Sequence, residues 1–390
     1  VKDMKDAKER LDIMLKRYLD VNEIEKINNK TNEIELRFGG KSKAKPISKI
    51  DYDNVAKILY QYGFKPENPN GFHSLRIKHE YTDMNTGKKK MSNIRSEIVG
   101  IDLIQEYCKT NSLQKILDSP SMNFDKLKFT QKTLPKNGEE FIYPITFEDF
   151  NMMISYQLEQ NFTSRDNIVN SHIRKWSDLL KTYRLINRVR FVHESLPIFA
   201  DLSIIKQSKT TNNGKVTMKT YTIQQSDIFD SLEKYDIEME LDNSRIGLGT
   251  NYNTLQSLRD LIKKVMRIVM SGLQQTNYPI SYKEEKDLKI QYMKLLHGEG
   301  FEKIERPNIG PENFIGPNSV TLLVKHLMDV EDMKIPNIKK NYTVTDKADG
   351  DRKMMFINDE GNIYLIDTNM NLTFTGAKTT NSDRFMSLLD

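Results

Sequence analysis

The chain has 390 residues, with 59 Lys plus Arg against 54 Asp plus Glu and a formal net charge of +5. Hydrophobic residues make up 37%, and 17 Tyr, 17 Phe and 18 Met supply bulk to bury, which excludes a disordered chain and leaves room for two or three domains. The single cysteine, Cys108, excludes an internal disulfide framework and a cysteine-only zinc site, and no apolar run is long enough for a transmembrane helix.

The chain begins at Val1, as expected of a piece of a longer protein. Residues 3–19 place Met4, Leu11, Leu15, Tyr18 and Leu19 near helical spacing. TNEIELRFGG alternates polar and apolar up to Phe38 and predicts a strand closed by two glycines. DYDNVAKILYQYG predicts a helix capped by Asp51 and ended at Gly63. HSLRIKHEY, SNIRSEIVG and KLKFTQKT predict three strands, and residues 147–160 and 170–186 predict helices. NRVRFVH, FADLSIIKQ, VTMKTYTIQ and YDIEMELD predict four more strands, with NNG at 212–214 as a hairpin turn. Helices follow at 253–271 and 283–296, then a Gly- and Pro-rich loop, a helix near 320–329 and strands at 342–346, 353–358 and 362–367. The fold class expected is α+β: about eight strands rich in antiparallel pairs with a few helices over the first 245 or so residues, then the start of a second domain.

Alternate residues of a strand share a face. The first strand sets Glu33, Glu35 and Arg37 against Ile34, Leu36 and Phe38, and the last sets Asp236, Glu238, Glu240 and Asp242 against Ile237, Met239 and Leu241. Strands between them align Arg76 and Lys78 with Glu80, Arg95 with Glu97, Lys128 with Lys132, and Arg188 with Arg190. Such faces are ordinarily solvated. The sharper reading turns them into a closed lumen, where four carboxylates repel one another unless a cation sits between them. Hard oxygen ligands select Mg²⁺ or Mn²⁺, and facing cations would hold phosphate oxygens.

Two Glu-x-Glu strands bracketing Arg/Lys strands resemble the triphosphate tunnel metalloenzymes over residues 30–243, and within them the metal-dependent RNA 5′-triphosphatases of fungal and viral capping systems. The resemblance implies an eight-stranded antiparallel β-tunnel with flanking helices over residues 1–248, with the second domain over 249–390. It also implies a metal held by Glu33, Glu35, Glu238 and Glu240, which serve catalysis, and phosphate contacts from Arg76, Lys78, Arg95, Arg188 and Arg190. Lys206 and Lys219 are weaker members of that set, since Lys206 is out of phase with Asp201 and Ser203.

YTVTDKADGDR, residues 342–352, resembles motif I of the covalent nucleotidyltransferases, which include mRNA guanylyltransferases and polynucleotide ligases. The resemblance implies that Lys347 is the nucleophile that carries the nucleotide, with Asp349, Gly350 and Arg352 binding nucleotide, and Arg352 touching the ribose. FIGPNSVTL at 314–322 and IYLIDTNMN at 363–371 are similar to the flanks of that motif in capping enzymes of large DNA viruses, which favours GTP over ATP. FMSLLD at the end resembles only the beginning of the next motif, so GMP transfer is expected of the full-length protein.

Together these imply a capping-enzyme piece that acts on the 5′-triphosphate end of nascent RNA, with GTP as co-substrate, no membrane partner, a methyltransferase domain or subunit elsewhere, and a cytoplasmic or virion setting. The alternatives are a small-molecule triphosphatase joined to a ligase-like domain and a non-catalytic RNA-binding scaffold. Other chemistries fail on spacing. The position six after Cys108 is Gln114, not the arginine of a cysteine phosphatase, and a P-loop ending at Lys41-Ser42 would need glycine at Glu35. The six histidines show no zinc spacing.

Overall fold

Ile34, Leu36 and Phe38 are buried on one side of a strand whose other side carries Glu33, Glu35 and Arg37, so the alternation places an apolar face against covering helices. In this computed structural model the described residues are 2–25, 30–39, 46–83, 86–123, 125–211, 217–298, 301, 309–316, 321–328, 337–339, 341–346 and 349–379. Eight strands form the wall: β1 (Lys30–Phe38), β2 (Phe72–Thr82), β3 (Ile94–Val99), β4 (Leu127–Thr133), β5 (Met152–Phe162), β6 (Lys181–Val192), β7 (Ile198–Gln207) and β8 (Lys234–Leu241). Every pairing is antiparallel, in the order β1-β5-β4-β3-β2-β6-β7-β8 and back to β1 through Glu35 opposite Glu240, so the ring closes and leaves no open edge.

Seven of the expected strands lie in this ring. The eighth is β5, expected as helix; its MMISYQLEQ run alternates with period two, and Ile154 and Tyr156 are buried outward. The second half of the expected helix 170–186 is likewise strand, the start of β6, after a short helix at 167–174. VTMKTYTIQ is no strand over its described residues: Thr217 and Thr220 make only isolated bridges, to Thr210 and Lys181. The NNG turn lies outside the described residues.

The outer wall is covered on one side by α1 (Lys2–Glu25), α2 (Lys49–Gln61) and α6 (Leu255–Gln274), and on the other by α3 (Ile101–Thr110), α4 (Leu113–Leu117) and α5 (Asn167–Arg174). Fully burying each Leu, Ile or Phe of these layers contributes about 1.5–3 kcal/mol. The cap of α2 is Ser48 rather than Asp51; Asp51 stands at the third helical position and completes a capping box with it.

Two compact units divide at Gln275, not at the expected 248. The difference is α6, whose apolar stripe Leu258, Leu261, Ile262, Val265 and Val269 packs into the first unit's core. Its Gly272 allows close approach to α2, because a Cβ there would stand 2.8 Å from Val55 Cα. Gly272→Ala gains about 1 kcal/mol of helix propensity, yet it is expected to lower the unfolding temperature, because the backbone of α2 must move; thermal unfolding checks this.

Behind β2, His79 is 1% exposed, with no partner for either ring nitrogen. It packs edge-on against His172 at 4.3 Å and Trp176 at 5.6 Å. Burial, then His172 and Lys181, pushes the imidazole down to about 3. The folded protein therefore binds fewer protons than the unfolded chain between about pH 6.5 and 3, and stability falls as pH falls through that window. His79→Phe is expected to remove part of that loss, read as a smaller drop in urea midpoint between pH 7 and pH 4.

The second unit holds α7 (Tyr282–His297) and an antiparallel sheet of β9 (Lys353–Ile357), β10 (Asn362–Asp367) and β11 (Leu372–Lys378). Its core joins Leu288, Tyr292 and Met293 to Phe314, Phe356, Tyr364 and Ile366. The expected strand at 342–346 is absent: Tyr342 and Val344 are exposed and no ladder pairs them. The described part of 320–329 forms only a short 3-10 turn, Val324–His326.

Candidate active site

The register that buries Ile34, Leu36 and Phe38 turns Glu33, Glu35 and Arg37 into the ring. On β8 the same parity turns in Asp236, Glu238 and Glu240, with Glu35 opposite Glu240 and Arg37 opposite Glu238. Asp201 and Ser203 follow from β7, Arg184, Arg188 and Arg190 from β6, Arg76 from β2, Arg95 and Glu97 from β3, and Lys132 from β4.

These side chains pair in several clusters, the largest around Glu238 and Asp201. Arg188 donates to Asp201 at 2.9 Å, Glu238 at 2.8 Å and the Ser203 hydroxyl at 3.0 Å. Arg190 grips Asp201 through two nitrogens at 2.8 and 2.7 Å and reaches Glu240 at 2.9 Å. Arg37 bridges Glu238 and Glu35, Lys132 donates to Glu33 at 2.6 Å, and Arg76 donates to Glu97 at 3.0 Å. The buried Nε atoms of Arg37, Arg95 and Arg184 have no acceptor.

The charges are unevenly compensated. Burial works to raise the Glu238 carboxyl, but Arg188 and Arg37 overcome it and hold the group down. For Glu97, Arg76 and Arg95 likewise outweigh burial and hold it at about 2. Glu35 moves the other way, pushed up by burial and by Glu238 despite Arg37. Burial also raises Glu240 to about 7, against the pull of Arg190. Burial lowers Arg95, helped by Arg76, and lowers Arg184 against the pull of Asp236.

All four glutamates expected from the two Glu-x-Glu strands line this lumen, as do Arg76, Arg95, Arg188 and Arg190. Lys78 lies on the same face of β2 but is exposed, toward one mouth. Lys219 stands at that mouth, 2.6 Å from Glu80. Lys206 is a correction: it pairs with Leu185 on the outer face of the wall, and its ammonium donates to the Phe229 carbonyl at 2.8 Å. Arg184 and Asp201 were missed as site residues. The helical reading of 170–186 hides Arg184, whereas Asp201 and Ser203 stand in the alternation from which Lys206 is out of phase. No group of three or more His, Cys, Asp or Glu side chains is gathered at metal-binding spacing among the described residues, because each lumen glutamate leans on a cation.

Lys347 lies outside the described residues, as do residues 317–320 of FIGPNSVTL and the terminal FMSLLD. Asp349, Gly350 and Arg352 are exposed, and the Arg352 guanidinium sits 5.2 Å over the Phe314 ring.

The first unit is thus a closed antiparallel barrel, apolar outside under helices and lined inside by acids and arginines. Residues 270–381 match the model of the mRNA capping enzyme, catalytic domain. A probable mRNA-capping enzyme of Acanthamoeba polyphaga mimivirus is 28% identical over 197 residues, 45% of this chain and 14% of that protein. The chain therefore spans about a seventh of that relative's length. Among solved structures, the S. pombe Pct1 RNA triphosphatase aligns over 63% of this chain and 82% of that one, at 13% identity and a TM-score of 0.27. The same protein in complex with the Spt5 CTD aligns at 11% identity and a TM-score of 0.26, over 63% and 84% of the two chains. No helix among the described residues is long and apolar enough to cross a membrane.

Proposed function

We propose that the barrel is a divalent-metal-dependent phosphohydrolase that removes the γ-phosphate from the 5′-triphosphate end of RNA, within a longer mRNA-capping protein. The observation that carries this is the set of buried guanidinium Nε groups of Arg37, Arg95 and Arg184 without an acceptor, in a lumen shared with four glutamates. A buried donor left unmade costs about 1–3 kcal/mol, more when charged, and phosphate oxygens would satisfy these donors. The match of residues 270–381 to a capping-enzyme catalytic domain supports RNA over small phosphates, since the product of one step is the substrate of the next.

Arg76, Arg95, Arg184, Arg188 and Arg190 would hold the phosphate oxygens, arginine being suited to paired contacts. The donor set fits a hard cation: burial raises Glu35 and Glu240, and nearby glutamates add to it, the condition a divalent ion relieves. Glu33, Glu35, Glu238 and Glu240 would hold Mg²⁺ or Mn²⁺, with Arg37 and Lys132 giving way. When bound, such an ion neutralises charge on the phosphates. In the hydrolysis, water oxygen forms the new bond to the γ-phosphorus and the bond to the β–γ bridging oxygen breaks. A lumen carboxylate takes the water proton, and the RNA leaves with a diphosphate end.

In the whole protein, the Lys347 amine would attack the α-phosphorus of GTP, release diphosphate and pass GMP to that RNA end. Competing unlabelled triphosphate-ended RNA against free nucleoside triphosphate tests the substrate: RNA should suppress nucleotide hydrolysis at lower concentration. Equal use of both would leave the small-molecule triphosphatase.

A further inference from the structure

The two ends of the barrel differ in charge. Toward one end the register gathers Glu33, Glu159 and Glu240, offset in part by Lys132 and Arg190, with Glu67 in the electrostatic reach of Arg190. Toward the other, the lining passes from Arg184 and Arg76, which face each other across β6 and β2, to Lys78, on the same face of β2. Beyond β3, β2 continues past the ring and pairs with a short strand, Lys89–Met91, so this hairpin projects from the wall. It carries Lys88, Lys89 and Lys90, all exposed. From the neighbouring segment, bridged to β6 at Lys181, Lys219 reaches Glu80 at 2.6 Å, and Lys89 stands 3.9 Å from the same carboxylate. Glu80 and Asp83 offset only part of this charge, Asp83 being paired with Lys90. Tyr221, two residues after Lys219, is 50% exposed.

We infer that this hairpin mouth, with Lys78, Lys88, Lys89, Lys219 and Tyr221, is a single-stranded RNA platform that holds the chain behind the 5′ end, and that RNA enters the barrel here and not at the acidic end. Lysines along a track with an adjacent aromatic ring are the elements that bind single strands without reading sequence: ammonium groups meet phosphates and a base stacks on the ring. A run of like charge continuous with the arginines of the lumen also draws the polyanion inward. The inference rests on the reading of triphosphate-ended RNA as substrate. It adds the direction of entry and a surface that a free nucleotide does not use.

The test uses the 390-residue chain and a 12-nucleotide RNA with a 5′-hydroxyl, which engages the platform without a triphosphate. Fluorescence anisotropy of K88E/K89E should show binding about 10-fold weaker than wild type. The milder K88Q/K89Q should weaken it less and lower the salt slope by about 1.4, two contacts at about 0.7 each. Lys65→Glu, near the opposite end, should leave binding unchanged. Hydrolysis of free nucleoside triphosphate should be unaffected in all three, while KM for triphosphate-ended RNA rises about 10-fold in K88E/K89E alone. RNA binding equal in wild type and K88E/K89E, or no binding by wild type, overturns the inference. Displacement of the RNA by a poly-glutamate peptide at matched charge would assign the surface to an acidic protein and overturn it too. If no triphosphate of any kind is hydrolysed, the reading of the lumen fails, while the anisotropy still decides the platform.

Discussion

Glu238→Gln is expected to lower γ-phosphate release by about 10²–10³-fold, equivalent to about 3–4 kcal/mol of barrier. Glu238 is the lumen carboxylate at which two arginines meet, Arg37 from β1 and Arg188 from β6. Those arginines hold it ionised, so it offers an oxygen ligand at any ordinary pH. Glutamine keeps the shape and an acceptor but loses the charge that a divalent ion needs. The fold should survive, with circular dichroism unchanged, so that the loss reads as chemistry. Glu238→Ala should in addition destabilise by about 3–5 kcal/mol, because it leaves buried guanidinium groups uncompensated.

Asp201→Ala should lower stability as much as Glu238→Ala does. Its side chain is 2% exposed and receives Arg190 twice and Arg188 once. Removing it leaves two adjacent arginines repelling one another in a closed lumen, a loss of about 3–5 kcal/mol by the cost of breaking a buried pair. In a unit of this size that corresponds to about 6–20 °C in unfolding temperature, at about 2–4 °C per kcal/mol. Asp201→Asn should fall between, since it still accepts hydrogen bonds. Differential scanning calorimetry of the three proteins gives the order, and a variant as stable as wild type would mean that the two arginines find other partners.

Alternation made most of the barrel legible. TNEIELRF and YDIEMEL show a period of two with acids on one side, and that side faces inward because the other is long and apolar enough to need helices over it. Helix patterns compete with strand patterns where apolar residues are dense. MMISYQLEQ and KTYRLI fit both, and only the ring's need for a partner between β1 and β4 decides the first. VTMKTYTIQ fails in the opposite sense: its alternation is good, but over its described residues only one isolated bridge, Thr220 to Lys181, ties it to the wall. Lys206 shows the limit of composition, since its one-residue phase difference from Asp201 places it outside. Pairings such as Arg190 with both Asp201 and Glu240 depend on strand order, which no local pattern records. The Lys-Ala-Asp-Gly motif is legible as sequence; its Lys347 lies outside the described residues, and Asp349, Gly350 and Arg352 are exposed.

The most direct measurement is release of labelled γ-phosphate from triphosphate-ended RNA by the 390-residue chain, with Mn²⁺ and with EDTA, for wild type and Glu238→Gln. The account predicts rapid release by wild type with metal, near-background release in EDTA, and near-background release by the variant in both. Release that survives EDTA, or that is as fast in the folded variant as in wild type, would contradict it.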